Sequence, residues 1–147
     1  MLALTLAAAL AASPAPKVKG DASLQTFLRD VWSDVDARAW DRLLTRSDDE
    51  HRATQLDGMG MSPAQYVAEL LGLHTVGNSI DAAGDGVTWS DLDALQTLKA
   101  AGTIRVPREE GPVTVQGSAR TTDGRTLRLE LLVTPTTRGW RLSGGVG

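Results

Sequence analysis

The sequence predicts an α+β domain in which N-terminal helices pack on a curved antiparallel sheet. The chain has 147 residues, of which 41% are hydrophobic and 22% are charged, the make-up of one globular domain large enough to bury a core. Apolar residues recur at helical spacing in the first part of the chain, whereas they alternate with polar residues in the C-terminal third. Because the helices come first and the strands last, the arrangement is α+β.

Residues 1–12 form an apolar run in which Thr5 is the only polar residue. The run is shorter than the about 20 residues that a membrane-spanning helix needs, so we expect no stable membrane span. It resembles the apolar part of a secretory signal peptide that lacks its basic start, and the alternative is a disordered or helical N-terminus. We therefore expect export, in the first instance to the periplasm.

Two cleavage sites fit this signal-like segment. Ala9-Leu10-Ala11 has the small-x-small form, and Ser13-Pro14-Ala15 is a poorer second site. We assign residues 1–20 to the signal remnant and a linker, and residues 21–147 to a single domain.

An amphipathic helix is predicted over residues 21–35, with Asp21 as its N-cap. Its apolar stripe has the spacing i, i+3, i+4, i+7 and i+11 and consists of Leu24, Phe27, Leu28, Val31 and Val35. A second short helix follows, with Asp36 placed to cap it. The apolar side of this second helix is formed by Trp40, Leu43 and Leu44.

Residues 47–52 are a charge run, which we interpret as a solvated loop. One histidine beside flexible carboxylates does not make a metal site, and we expect neither a metal nor a cofactor. Ser62-Pro63 starts a third helix, with serine as cap and proline in the first turn, and this helix is expected to end between Leu73 and Gly77. Its apolar residues are Tyr66, Val67, Leu70, Leu71 and Leu73.

After a loop over residues 76–87, Ser90 starts a capping-box pattern that favours a short helix ending near Gly102. Leu92, Leu95 and Leu98 have the spacing of such a helix. The alternative is a strand that begins earlier, because Leu98, Ala100, Ile104 and Val106 share one parity.

The sheet prediction rests on a hairpin around Asp123-Gly124. A three-residue loop, Thr122-Asp123-Gly124, pairs Ala119 with Leu127 and brings the apolar faces together, whereas a two-residue loop puts them out of step. The further pairs of this register are Gly117 with Leu129, Val115 with Leu131, and Val113 with Val133. Gly124 supplies the left-handed residue that such a turn requires.

Two flanking strands complete a four-stranded antiparallel meander with one apolar face. The predicted pairs are Val133 with Trp140, Leu131 with Leu142, Val106 with Val113, and Ile104 with Val115. Pro135 then lies at a strand end, where a missing N–H is tolerated.

The order of these elements over residues 21–144 resembles that of the nuclear transport factor 2-like superfamily. The residues that carry the resemblance are the Ala-Trp-Asp-x-Leu-Leu segment after Asp36, the hairpin Asp123-Gly124-Arg125 and the last strand Gly139-Trp140-Arg141-Leu142. The resemblance implies a cone-shaped half-barrel with a pocket at its wide end. Members similar to ketosteroid isomerases and polyketide cyclases use an aspartate or an Asp/His pair as general base, while others only bind ligands or dimerise.

Carried over to this chain, the catalytic candidates are Tyr66, His74 and Asp36. The tyrosine of the isomerases has no match on the first helix, where Phe27 and Trp32 stand instead. Tyr66 and His74 are eight residues apart, which places them on roughly one helix face. The structural alternative is a core tyrosine and a histidine at a helix C-terminus.

Four tryptophans against one phenylalanine is an unusual ratio, and indole rings line pockets for apolar ligands or anchor cores and interfaces. With Tyr66 and His74, we take Trp32 and Trp89 as candidate ligand-binding residues. Leu132 points to the outer face of the sheet, which is consistent with a homodimer that packs sheet to sheet.

Two functional hypotheses follow. The first is an exported, non-catalytic domain that binds a small apolar ligand or a partner protein, and the second is a lyase or isomerase acting on a hydrophobic carbonyl compound. A net charge of -3 argues against nucleic acid as the partner, and the absence of cysteine excludes disulfides and thiolate chemistry. We favour the first hypothesis.

Overall fold

The structure, a computed structural model, describes residues 13–73, 86–107, 109 and 111–143. Helices cover one face of a curled, antiparallel, four-stranded sheet, so the predicted α+β class is confirmed. His74 and most of the predicted loop over residues 76–87 lie outside the described residues.

The helical layer contains five described helices and one π-helical turn. These are α1 (Ala22–Asp36), α2 (Trp40–Thr45), α3 (Asp49–Arg52), the π-helical turn (Ala53–Gly58), α4 (Pro63–Leu70) and α5 (Trp89–Asp93). The predicted caps of α1 and α4 are confirmed, because Asp21 accepts the N–H of Leu24 at 2.9 Å and Ser62 accepts that of Gln65 at 3.2 Å.

Three helix predictions were wrong in detail. Asp36 does not cap α2; it ends α1, and the N-cap position of α2 is Ala39, which makes no side-chain cap bond. The charge run is not a loop, because the Asp48 carboxylate accepts the N–H of His51 and starts α3. Helix α4 ends at Leu70, earlier than predicted, where Gly72 takes a left-handed φ of 72°.

The described residues contain six strands in two sheets. The strands are β1 (Val18–Lys19), β2 (Leu95–Ala100), β3 (Ile104–Arg105), β4 (Val113–Thr121), β5 (Thr126–Thr136) and β6 (Gly139–Leu142). The main sheet has the order β2-β4-β5-β6, and β1 pairs with β3 in a separate parallel pair.

The predicted β4–β5 hairpin register is confirmed at all four pairs, from Ala119–Leu127 to Val113–Val133. Gly124 has a φ of 89° in the turn. The Asp123 carboxylate accepts bonds from the Thr121 hydroxyl and from the Arg125 guanidinium, and both lower the pKa of Asp123. Turn chemistry and alternation therefore act together on the register.

The predicted β5–β6 register was wrong by two residues, since Val133 pairs with Leu142 and Pro135 with Trp140. Strand β5 continues to Thr136, whose hydroxyl donates to the Gly139 carbonyl at 2.7 Å and closes a tighter turn. Because the shift is an even number of residues, the apolar side chains keep their face of the sheet.

The first strand of the main sheet was also misplaced. Residues 95–100, for which we favoured a helix, form β2, while Ile104 pairs with Val18 and not with β4. A bulge between Gln96 and Leu98 lets both Leu95 and Leu98 face the core, although they are three residues apart. A spacing of three residues is also typical of one face of a helix, which is why the sequence favoured a helix here. The cap is likewise shifted, because Thr88 and Asp91 form the capping box of α5.

The core lies between the helices and the apolar face of the main sheet. Trp32 of α1 is 2% exposed, and its ring lies beside Gly117, where a Cβ would be 3.5 Å from Cζ2. On β5, Glu130 donates its N–H to the carbonyl of Leu71, the residue that follows α4, at 3.0 Å. The helices thus contact the strands directly, backbone included.

Replacing Gly117 by alanine is expected to lower the free energy of unfolding by about 1–3 kcal/mol, the usual cost of overpacking. The new methyl group would lie 2.4 Å from the Lys99 carbonyl oxygen, so β2 and β4 would have to separate. Urea unfolding measures the change. Gly102→Ala is the matched control, because a Cβ there meets no atom within 4 Å. Equal stability of the two variants would contradict the close packing at Gly117.

Candidate functional site

Tyr66, a catalytic and ligand-binding candidate, is fully buried on α4 at 0% exposure. Its hydroxyl lies 2.9 Å from Nδ1 of His51 on α3, and the two rings are tilted by 33° with centroids 5.5 Å apart. Sequence reasoning missed this partner, because His51 stands in the charge run. Burial raises the pKa of Tyr66, so the phenol stays protonated at neutral pH.

Charged side chains surround the Tyr66–His51 pair. The Arg52 guanidinium donates to the Leu44 carbonyl at 2.9 Å and to the Ser47 hydroxyl at 3.1 Å, and it pairs with Asp49 at 2.7 Å. These bonds tie α3 to the end of α2. The arrangement therefore positions helices, and a buried phenol within it has no exposed surface to offer a substrate.

Asp36, the second catalytic candidate, belongs to a different network. Its carboxylate accepts the backbone N–H of Ser13 at 2.7 Å and the Ser13 hydroxyl at 3.0 Å. The Ser13 hydroxyl oxygen in turn accepts the N–H of Leu98 at 3.0 Å. Asp36 thus holds the N-terminal segment against β2, and the structure does not join it to Tyr66. His74, the third candidate, lies outside the described residues.

The tryptophans differ in exposure. Trp32 is buried, and within the described part of the chain its indole Nε1 has no hydrogen-bond partner. Trp89 is 38% exposed, and with Met59 it is one of two exposed large apolar residues among those described. Of the two tryptophans among the ligand-binding candidates, only Trp89 is presented at the surface.

Trp89 lines a surface groove of about 410 Å³, which we call the Trp89 groove. The other lining residues come from the α1–α2 junction and are Arg38, Ala39, Trp40, Asp41 and Arg42.

The wall opposite Trp89 is fixed by hydrogen bonds to the end of α5. Arg38 has a left-handed φ of 54°, and its guanidinium donates to the carbonyls of Asp93 at 2.9 Å and Leu95 at 3.3 Å. The Trp40 indole donates to the Asp93 carboxylate at 2.8 Å. A non-glycine residue held at positive φ is strained, so the surrounding bonds must maintain it. The groove is therefore preformed.

Sequence reasoning identified Trp89 but not the arginines. A signal was present, because Arg38 and Arg42 are four residues apart around Trp40. The two arginines lie close to Trp89 only because α5 packs against α2, and no local sequence pattern predicts this tertiary contact.

In the described residues, no group of three or more acidic, histidine or cysteine side chains is arranged to hold a metal ion. None of the described helices combines the length and the hydropathy needed to cross a membrane. Comparisons of the chain with protein-family models, with curated proteins and with solved structures found no match.

We expect the phenol of Tyr66 to titrate above its ordinary value of 10.0 in the folded protein. Tyr66 is the only tyrosine of the chain, so phenolate absorbance reports on it alone. In denaturant the midpoint should return to about 10. A native midpoint at or below the denatured one would contradict the burial of the hydroxyl.

The sign of the stability change follows from this shift. Because the folded pKa is raised above the unfolded one, the contribution to stability is fully present below about pH 10 and is lost as the pH rises through the folded pKa. Tyr66→Phe is the control variant, and its free energy of unfolding should fall less over the same pH range.

Proposed function

We propose that this protein is an exported, non-catalytic binding domain of the nuclear transport factor 2-like kind, and that it binds a partner protein through the Trp89 groove. The observation that carries the proposal is the difference in exposure between Trp32 and Trp89, the two tryptophans among the ligand-binding candidates. Trp32 is enclosed in the core, whereas Trp89 is exposed beside a preformed groove.

The composition of the Trp89 groove favours a protein partner. Tryptophan and arginine are the residues that most often dominate binding energy at protein interfaces. Two of each kind meet in the groove, and Arg42 has a side chain that is 65% exposed. Exposed Trp89 is the expected anchor, because an indole buries a large area and loses little conformational freedom.

A small apolar ligand is the second candidate for the same groove. Its volume of about 410 Å³ lies within the range of small-molecule sites, roughly 300–1,000 Å³. The lyase or isomerase hypothesis has weaker support, since Asp36 and Tyr66 belong to separate hydrogen-bond networks.

Export is proposed from the signal-like segment, and the contacts of Ser13 favour the first cleavage site. Cleavage after Ala11 would keep the bonds from Ser13 to Asp36 and Leu98, whereas cleavage after Ala15 would remove them. Homodimerisation through the outer sheet face stays a prediction; Leu132 on that face is partly exposed.

The test compares proteins retained by the immobilised chain and by its Trp89→Ala variant, followed by affinity measurement with the purified partner. We expect Trp89→Ala to weaken binding roughly 30-fold, about 2 kcal/mol, because the indole leaves an unfilled contact at the centre of the interface. Met59→Ala is the matched control, since Met59 is 72% exposed and does not line the groove.

A partner that binds the Trp89→Ala variant as tightly as the unchanged chain would contradict the proposal. Native mass spectrometry with denaturing extraction separates the two candidates, because a co-purified apolar compound would favour the small ligand. Thermal unfolding of each variant verifies that the fold is intact.

A further inference from the structure

Within the described part of the chain, the first half of β4 has a neighbouring strand on one side only. Strand β5 pairs with β4 along its length, whereas β2 pairs with it only from Gly117 onwards. The last bond on the β2 side joins the N–H of Ala101 to the carbonyl of Gln116 at 2.9 Å. Beyond that bond the chain leaves β4 and pairs with β1, so residues 113–115 form an open sheet edge.

The backbone groups of this edge point to the open side. Because Gln116 directs its carbonyl away from β5, the alternation of a strand directs the N–H and C=O of Thr114 the same way. Neither group has a hydrogen-bond partner among the described residues. Unpaired groups of this kind are a template for another strand.

A groove of about 440 Å³ lies along this edge, and we call it the edge groove. One wall is formed by residues 112–114 and Gln116, and the other by residues 101–105 and Pro107. On the second wall, Ile104 donates its N–H to the Lys17 carbonyl at 2.8 Å, so the backbone of Arg105 faces away from β1. The edge groove shares no lining residue with the Trp89 groove.

The lining of the edge groove and of the groove next to it is basic. The adjoining groove shares Gly102 and Thr103 with the edge groove and is lined by Lys17 and Lys99, while Arg105 lines the edge groove itself. No acidic side chain is among the described lining residues, although the whole chain has a net charge of -3. In the described part of the structure, none of these three cations makes an ion pair.

We propose that the edge groove docks an extended acidic segment of a partner protein, which adds to β4 as a further strand. Main-chain bonds to Thr114 supply the register, and alternate side chains of the segment supply specificity. On the sheet face that carries the buried Val113 and Val115, the side chains of the docked segment contact the partly buried Ile104. Those on the outer side are acidic and lie near Arg105.

The probe is a fluorescently labelled short peptide of alternating valine and glutamate with blocked ends, and the measurement is fluorescence anisotropy with the full chain. We expect saturable binding that weakens at least roughly tenfold when alternate peptide nitrogens are methylated, since methylation blocks strand pairing. A peptide of alternating valine and lysine should not bind.

Variants of the chain locate the site. Arg105→Glu is expected to weaken binding roughly tenfold. Arg120→Glu is the matched control, because Arg120 is exposed on the outer face of β4 with strands paired on both sides. Thr114→Pro removes the free N–H, whereas Thr114→Val keeps it; only the first should lose binding.

Three results would overturn the proposal. The first is the absence of saturable binding. The second is equal binding of the methylated and unmethylated peptides, because such binding would not involve strand pairing. This second comparison uses the unchanged chain, so it remains decisive even if Thr114→Pro fails to fold. The third is equal loss in Arg105→Glu and Arg120→Glu, or tighter binding of single-stranded DNA than of the peptide, either of which indicates a diffuse charge effect. Binding through the Trp89 groove is unaffected by any of these outcomes.

Discussion

Two glycines allow backbone segments to approach each other closely, one between neighbouring strands of the main sheet and the other between the end of α4 and β5. A Cβ at Gly117 would lie 2.4 Å from the Lys99 carbonyl oxygen, and one at Gly72 would lie 2.3 Å from that of Glu130. Gly72 also takes the left-handed conformation that only glycine adopts at little cost. Since the chain's own side chains occupy the space above the sheet in the described core, the accessible grooves lie outside it.

A buried charge holds the layer in place. Asp34 is 3% exposed on α1 and pairs with the Arg46 guanidinium at 2.5 Å, at the end of α2. Asp34 also pairs with the more exposed Arg42 at 3.4 Å, so its buried carboxylate has two cationic partners. Removing both partners would leave a buried charge without compensation, which is strongly destabilising. The backbone of Arg46 in turn accepts the N–H of Leu142, and Asp48 donates its N–H to the Leu142 carbonyl, both at 2.8 Å. The ion pair thus links the first helix to the last strand.

The sequence predicted the structure correctly where a local pattern was compatible with only one local conformation. The β4–β5 register followed from alternation and Gly124, and the starts of α1 and α4 followed from Asp21 and Ser62. It failed where tertiary contacts chose between local alternatives, as at Leu95 and Leu98, whose bulged strand imitates helical spacing. For the site, Trp89 was identified from composition, but its meeting with Arg38 required the packing of α5.

The N-terminal segment explains why the first half of β4 has an open edge. By parity alone, Ile104 fits a strand beside β4, but the structure pairs it with Val18. Gln25 holds the segment on α1, because its side chain accepts the N–H of Val18 at 2.7 Å and donates to the Pro16 carbonyl at 2.8 Å. A stretch that reads as a linker therefore removes a strand from the main sheet. Folded proteins normally cover or blunt such an edge, and the cations beside it, Lys17, Lys99 and Arg105, are of the kind that discourages unspecific pairing of strands.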